Sequence, residues 1–124
     1  MGSKKILLVD DEEEVIQAII RKINWEELGF SVVGYADNGI KALEMIEESQ
    51  PDVVMTDIKM PYMDGMELIK TLKTDPNLSD IPVLMVTTEN DVTEKERAFN
   101  FGADGYVVKP VTGEAIAENI KNIL

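Results

Sequence analysis

The sequence predicts an α/β domain in which helices cover both faces of one parallel β-sheet, a doubly wound sandwich. Two observations lead to this class. Short, continuous apolar runs recur along the 124-residue chain, as in strands that are buried on both faces of a sheet. Stretches with the apolar spacing of amphipathic helices lie between these runs. Alternating strands and helices favour a parallel sheet with right-handed crossovers.

Five segments are expected to form the strands. Four of them are continuous apolar runs, and one is a weaker pattern. The strong runs are residues 6–9, 53–55, 83–86 and 106–108, and the weaker one is residues 31–36. A five-stranded doubly wound sheet suits a chain of this length.

Five helices are expected to alternate with these strands. Asp64 with Glu67, and Asp91 with Glu94, resemble the capping boxes that begin helices, here the third and the fourth. The fourth helix, residues 92–101, is the poorest in apolar residues, so it should be weakly anchored. The apolar positions with helical spacing in the other four are Val15, Ile16, Ile19, Ile20 and Ile23; Ile40, Leu43 and Ile46; Met66, Ile69 and Leu72; and Ile116, Ile120 and Ile123.

Composition narrows the classes of function. The formal net charge of −12 would repel a nucleic-acid backbone, so direct nucleic-acid binding by this domain is not expected. Histidine is absent, which excludes Ser-His and Cys-His catalysis and His-ligated zinc. The chain lacks cysteine, a signal-peptide pattern and an apolar run near the roughly 20 residues that cross a bilayer, so a cytoplasmic domain is expected. Residues 4–124 should form a single domain, and residues 1–3 resemble a cloning remnant.

Charged and polar residues follow four of the predicted strands. Asp10 and Asp11 come after the first strand, Asp57 after the third, Thr87 after the fourth and Lys109 after the fifth. Ligands of doubly wound sheets bind beyond the carboxyl ends of the strands, so these side chains should converge there. Carboxylates about 4 Å apart repel by roughly 4 kcal/mol per pair at an effective dielectric of about 20, which favours a bound cation. Mg²⁺ fits best, because it prefers oxygen ligands and shares phosphate oxygens.

These residue types suit transfer of a phosphoryl group to a carboxylate. Asp57 is the candidate nucleophile, Mg²⁺ and Lys109 would neutralise the phosphoryl oxygens, and the Thr87 hydroxyl would donate to one of them. Each residue alone has a plainer interpretation, since acidic residues favour helix starts and most lysines are solvated surface residues. Their joint position at the strand ends is what favours a site.

Four stretches of the sequence together resemble the response-regulator receiver family. They contain the acidic turn after the first strand, the loop after Asp57, the fourth strand, and the fifth strand with Lys109 and Pro110. The resemblance extends in order, and with the family's spacing, over residues 4–124. The four stretches are residues 6–12, 52–65, 82–87 and 102–110.

The resemblance implies a fold and a chemistry. The strand order would be 2-1-3-4-5, the flavodoxin-like order, and a sensor histidine kinase or phosphotransfer protein would phosphorylate Asp57. Mg²⁺ would bind Asp11, Asp57 and the backbone carbonyl of Lys59, while Asp10 would act mainly through a metal-bound water. The chain would catalyse its own phosphorylation and dephosphorylation, and it would be a signalling switch, not an enzyme with a separate substrate.

The resemblance also implies how the switch works. Thr87 would move toward the phosphoryl group and Tyr106 would rotate inward, which alters the face made by the fourth helix, the fifth strand and the fifth helix. That face would control an output domain or a downstream partner protein, in a monomer or in a phosphorylation-dependent dimer. A cis peptide bond is implied between Lys109 and Pro110.

Three residues beside the site are candidate modulators of phosphoryl lifetime. Thr88 stands where the family usually has a small residue, and Lys59 occupies a position that varies among members. Lys59 and Glu89 each lie two positions past a site residue, so a pair between them would narrow the path of water to phosphorus. Slow self-dephosphorylation is the resulting hypothesis.

Three alternatives are weaker. A nucleotide or flavin binder on this fold needs a turn rich in Gly, Ser or Thr after the first strand, whereas acidic residues 10–14 fill that turn. An aspartate-nucleophile phosphatase typically carries a second aspartate two positions after its nucleophile, but Glu12 follows Asp10. A degenerate receiver that serves only as an interaction module would not require the intact acidic site.

Overall fold

The computed structural model describes residues 3–87 and 92–123. Its strands are β1 Lys4–Val9, β2 Phe30–Ala36, β3 Val53–Asp57, β4 Val83–Thr87 and β5 Gly105–Val108. Its helices are α1 Glu13–Lys22, α2 Trp25–Leu28, α3 Gly39–Ser49, α4 Gly65–Thr74, α5 Val92–Phe101 and α6 Gly113–Ile123. The strands form one sheet in the order β2-β1-β3-β4-β5, and all neighbours are parallel. The expected fold class and strand order are confirmed.

The core consists of two apolar layers, one on each face of the sheet. Successive side chains of a strand point to opposite faces, so Leu7 lies in the layer with α3, α4 and α5, and Leu8 lies in the layer with α1, α2 and α6. Both side chains are at most 2% exposed. Burial on both faces explains why the central strands have continuous apolar sequences. It also holds the carboxyl ends of the strands in fixed relative positions.

The short helix α2 was not expected from the sequence, which predicted five helices. The Asn24 side chain accepts a hydrogen bond from the Glu27 backbone N–H at its start, and Gly29 ends it in the left-handed conformation with φ of 82°. Trp25 is 8% exposed and joins the apolar layer, so packing holds this four-residue helix in place. A single turn is too short to produce an apolar repeat. The fourth and fifth predicted helices are therefore α5 and α6.

Helix α4 begins as the sequence predicted. The Asp64 side chain accepts a hydrogen bond from the Glu67 backbone N–H at 2.9 Å, the first half of a capping box. The corresponding cap of α5 falls on Asp91, which lies outside the described residues.

Helix α5 is weakly anchored, as its sequence indicated. Ala98 is its one residue that is buried among those described, whereas Val92 is 69% exposed and Phe99 43% exposed. Little apolar area holds the helix against the sheet. Across residues 3–87 and 92–123, none of the helices has the length and apolar character needed to cross a membrane.

Candidate functional site

The predicted site residues of the described chain converge at the carboxyl edge of the sheet. Asp10 and Asp11 directly follow β1, Lys109 directly follows β5, and Asp57 and Thr87 are the last residues of β3 and β4. Because the strands are parallel, these ends lie at the same edge. The strand topology thus brings these five residues to one edge of the sheet, as the sequence predicted.

Lys109 connects the two acidic strand ends. Its Nζ lies 2.7 Å from Oδ2 of Asp10 and 3.6 Å from Oδ2 of Asp57, and the lysine side chain is 13% exposed. Burial lowers the pKa of Lys109, but the hydrogen bond to Asp10 and the charges of Asp57, Asp10 and Glu12 outweigh it, so the pKa is raised overall. The ammonium group therefore stays charged at neutral pH. A charged lysine at this point can stabilise negative charge that develops on a ligand beside Asp57.

Asp57 is a largely shielded carboxylate at the end of a buried strand, with 13% of its side chain exposed. Its Oδ1 accepts a hydrogen bond of 2.9 Å from the backbone N–H of Ile58. Burial raises the pKa of Asp57 to about 6, with Asp10 and Asp11 adding to the rise and Lys109 and the Ile58 N–H opposing it. At pH 7 the carboxylate is mostly ionised, so it needs no general base to act as a nucleophile.

Three acidic side chains at the end of β1 form a group that could hold a cation. One carboxylate oxygen from each of Asp10, Asp11 and Glu12 lies within 4.8 Å of the other two. Asp10 is 4% exposed, and its Oδ1 accepts a 2.9 Å hydrogen bond from the Glu12 backbone N–H. The sequence prediction did not include Glu12 as a possible ligand, although its place in the Asp-Asp-Glu run was the available signal. Oxygen donors of this kind suit a hard divalent ion such as Mg²⁺.

The acidic group opens into a polar pocket of about 330 Å³. The pocket lies between the start of α1, the end of β2 and α3, where the Tyr35 hydroxyl donates a 3.2 Å hydrogen bond to Glu13. Its lining residues are Asp10, Asp11, Glu13, Ile16, Tyr35, Asp37 and Lys41. Hydrated ions can therefore reach the carboxylates from solvent.

The loop after Asp57 is fixed at two glycines. The Gly65 N–H donates a 2.8 Å hydrogen bond to the Ile58 carbonyl, and a Cβ at Gly65 would collide with the carbonyl oxygen of Asp57. The Gly39 N–H donates a 3.0 Å hydrogen bond to the Met63 carbonyl. Lys59, whose backbone carbonyl was predicted as a metal ligand, has an exposed side chain in this loop. The loop is therefore closed on itself beside Asp57 and is joined near its end to the start of α3.

The predicted switch residues occupy the neighbouring strands. Thr87 is 6% exposed, and its carbonyl accepts a 2.7 Å hydrogen bond from the Lys109 backbone N–H. Tyr106 is partly buried and packs against the apolar layer with α3, α4 and α5. The bond between Lys109 and Pro110 is cis, which confirms that implication of the family resemblance. Thr88 and Glu89, proposed as lifetime modulators, lie outside the described residues.

Known proteins are similar to this chain in sequence and in fold. The family model of the response regulator receiver domain matches residues 6–121. The uncharacterized transcriptional regulatory protein YesN of Bacillus subtilis is 36% identical over 120 residues, which are 97% of this chain and 32% of YesN. The chain thus spans about a third of that relative's length.

Solved structures agree with the family assignment. The chemotaxis response regulator CheY4 of Vibrio cholerae has a TM-score of 0.85 and 29% identity, and the match covers 99% of this chain and 100% of CheY4. A DNA-binding response regulator of the LuxR family from Staphylococcus aureus has a TM-score of 0.83 and 30% identity over 97% of this chain and 98% of that one. With these matches, and with the acidic strand ends joined by Lys109, the chain belongs to the response regulator receiver domains of two-component signalling.

Proposed function

We propose that Asp57 accepts a phosphoryl group from a sensor histidine kinase or a phosphotransfer protein and that the domain is a Mg²⁺-dependent switch. The observation that carries this proposal is the position of Lys109, whose largely shielded ammonium group contacts the carboxylates of Asp10 and Asp57. A cation fixed beside a largely shielded carboxylate suits a site in which negative charge accumulates during the reaction.

The transfer uses Asp57 as the nucleophile. An ionised carboxylate oxygen attacks phosphorus, the new O–P bond forms, and the P–N bond to the donor imidazole breaks, with its electron pair leaving on nitrogen. Lys109 stabilises the charge on the phosphoryl oxygens, and the Thr87 hydroxyl donates to one of them. The chain thereby promotes its own phosphorylation and, with water as the nucleophile, its own dephosphorylation. Its role is that of a switch and not of an enzyme with a separate substrate.

Mg²⁺ would be held by Asp10, Asp11, Asp57 and the backbone carbonyl of Lys59. The carboxylate group at the end of β1 supports this assignment, since its members lie close together and offer only oxygen ligands. Bound Mg²⁺ would neutralise phosphoryl oxygens. Glu12 belongs to the same group of carboxylates and adds negative charge at its edge.

The output of the switch is assigned to the face formed by α5, β5 and α6. Helix α5 buries little apolar surface, and elements with low local stability are the ones that rearrange at low cost. Thr87 and Tyr106 would connect the phosphoryl group to this face. The partner is an output domain or a separate protein in the cytoplasm, engaged by a monomer or a phosphorylation-dependent dimer, with no contact of this domain to DNA or a membrane.

Phosphorylation by a small donor tests the proposal. With acetyl phosphate and Mg²⁺, we expect intact-mass spectrometry to detect one added phosphoryl group on the parent and none on Asp57→Asn, because an amide is a poor nucleophile. Asp80→Asn changes an exposed aspartate in the same way and should label fully. Removing Mg²⁺ with a chelator should suppress labelling of the parent. Full labelling of Asp57→Asn would contradict the assignment.

A further inference from the structure

Strand β5 lies at one edge of the sheet and is covered there by α6. Among the described strands it pairs only with β4, with Gly105 opposite Leu84 and Tyr106 opposite Met85. A Cβ at Gly105 would lie 2.5 Å from both Oδ1 of Asn119 and Cδ2 of Leu84. Glycine at this position therefore allows α6 to approach the edge of β5 closely.

The close approach of α6 allows the Asn119 side chain to form a hydrogen bond with the backbone of β5. Its Oδ1 accepts a hydrogen bond of 3.3 Å from the backbone N–H of Tyr106. Its Nδ2 donates a hydrogen bond of 2.8 Å to the Ala115 carbonyl, one turn earlier in α6. The second bond holds the amide on its own helix, so that the acceptor oxygen faces β5.

We infer that Asn119 is a positioning residue that couples β5 to α6 at Tyr106, so that the helix moves with the strand when the domain switches. This inference rests on the proposed function, in which Tyr106 rearranges after phosphorylation. A displacement of the Tyr106 main chain must either carry Asn119 with it or break the bond between them.

Two substitutions separate the two hydrogen bonds of Asn119. Asn119→Asp keeps an oxygen that accepts from the Tyr106 N–H but loses the donor to Ala115. Asn119→Ala removes both bonds, and it should fold, since alanine favours helices more than asparagine does. Lys121→Ala is the control on an exposed position of the same helix. A residue that merely anchored α6 would alter stability without changing how the response divides between strand and helix.

The test follows backbone amide NMR shifts of the full chain on addition of beryllofluoride and Mg²⁺, a phosphoryl mimic. We expect the ratio of the α6 response to the β5 response to fall about threefold in Asn119→Ala, because the hydrogen bond that joins the two elements at Tyr106 is lost. The ratio should be unchanged in Lys121→Ala, and it should fall less in Asn119→Asp than in Asn119→Ala, because the aspartate keeps the acceptor but loses the bond that holds it toward β5. The Tyr106 N–H should also exchange with solvent about fivefold faster in Asn119→Ala without the mimic.

The experiment distinguishes failure of the Asn119 coupling from failure of the proposed switch. A parent ratio retained in Asn119→Ala, with β5 still responding, would overturn the coupling through Asn119 and leave the proposed function intact. A parent in which β5 does not respond to beryllofluoride would overturn the proposed switch itself, and the inference with it.

Discussion

The Nζ of Lys109 lies 2.7 Å from Oδ2 of Asp10, a contact between residues 99 positions apart in the sequence. The two residues directly follow the first and last strands of the chain. Both are well shielded, with 13% of the lysine side chain and 6% of the aspartate side chain exposed. Shielded opposite charges depend on each other, because removing one leaves the other buried without its partner.

Lys109→Met should therefore destabilise the metal-free protein. We expect a loss of about 2 kcal/mol in the free energy of unfolding at pH 7, since Asp10 and Asp57 would face each other without the cation between them. Urea unfolding measures the change, with Lys70→Met on the exposed side of α4 as the control. Added Mg²⁺ should recover part of the loss. Equal stability of Lys109→Met and the parent would mean that the contact contributes nothing.

The raised pKa of Asp57 predicts a pH dependence of stability. Its pKa of about 6 in the folded protein exceeds the ordinary 3.8, so the native state binds this proton more tightly than the unfolded chain and loses stability as the pH rises through 6. Asp57→Asn has no charge to desolvate and should be more stable than the parent at pH 7.5. The difference in free energy of unfolding between Asp57→Asn and the parent should shrink by about 1 kcal/mol from pH 7.5 to pH 5.

Urea unfolding at several pH values, with a chelator present, measures that margin. The control for the substitution itself is Asp80→Asn, which removes an exposed carboxylate. A margin for Asp57→Asn that stays constant with pH would contradict the assigned pKa.

Substitution of Tyr62 by glycine is predicted to stabilise the folded protein. Its φ is 66°, in the left-handed region that disfavours bulky residues, and its side chain is 83% exposed. Tyr62→Gly should raise the free energy of unfolding by about 1 kcal/mol, because glycine adopts this conformation without strain. Tyr62→Ala keeps a Cβ and should gain much less. Thermal or urea unfolding compares the two, and an equal effect of both variants would argue against strain at this position.

The lifetime hypothesis concerns the side chains that flank the path of water to phosphorus. We predict that Lys59→Asn combined with Thr88→Ala speeds loss of the phosphoryl group about tenfold, equal to about 1.4 kcal/mol of barrier. Decay of the phosphorylated form after removal of the donor gives the rate. Lys70→Asn changes an exposed lysine away from the site and should decay like the parent. If the double variant also loses its phosphoryl group at the parent's rate, these side chains do not control the access of water to phosphorus.

Much of the fold could be predicted because its central strands are buried on both faces. Strands buried on both faces require continuous apolar runs, which can be recognised in the sequence without any knowledge of tertiary contacts. The convergence of Asp10, Asp57 and Lys109 was predictable for a related reason, since the carboxyl ends of parallel strands share one edge. Only the sequential position of each residue was needed.

The features that the sequence did not predict depend on contacts between distant parts of the chain. Helix α2 is a single turn that the burial of Trp25 holds in place, so it is too short to show an apolar repeat in the sequence. Tyr62 has a left-handed backbone conformation, which a bulky side chain disfavours. This conformation depends on the loop whose ends contact Gly39 and Gly65. The bond from Asn119 to β5 requires the approach of α6, which a helical repeat leaves undetermined.

The identity of the acceptor is tested most directly by chemical trapping. Borohydride reduces an aspartyl phosphate to homoserine, so treatment of the protein after acetyl phosphate and Mg²⁺ marks the residue that carried phosphorus. Peptide mass spectrometry then locates the change in the sequence. We predict homoserine at position 57 and unmodified aspartate at positions 10 and 11. Homoserine at another position, with Asp57 unmodified, would contradict the central claim.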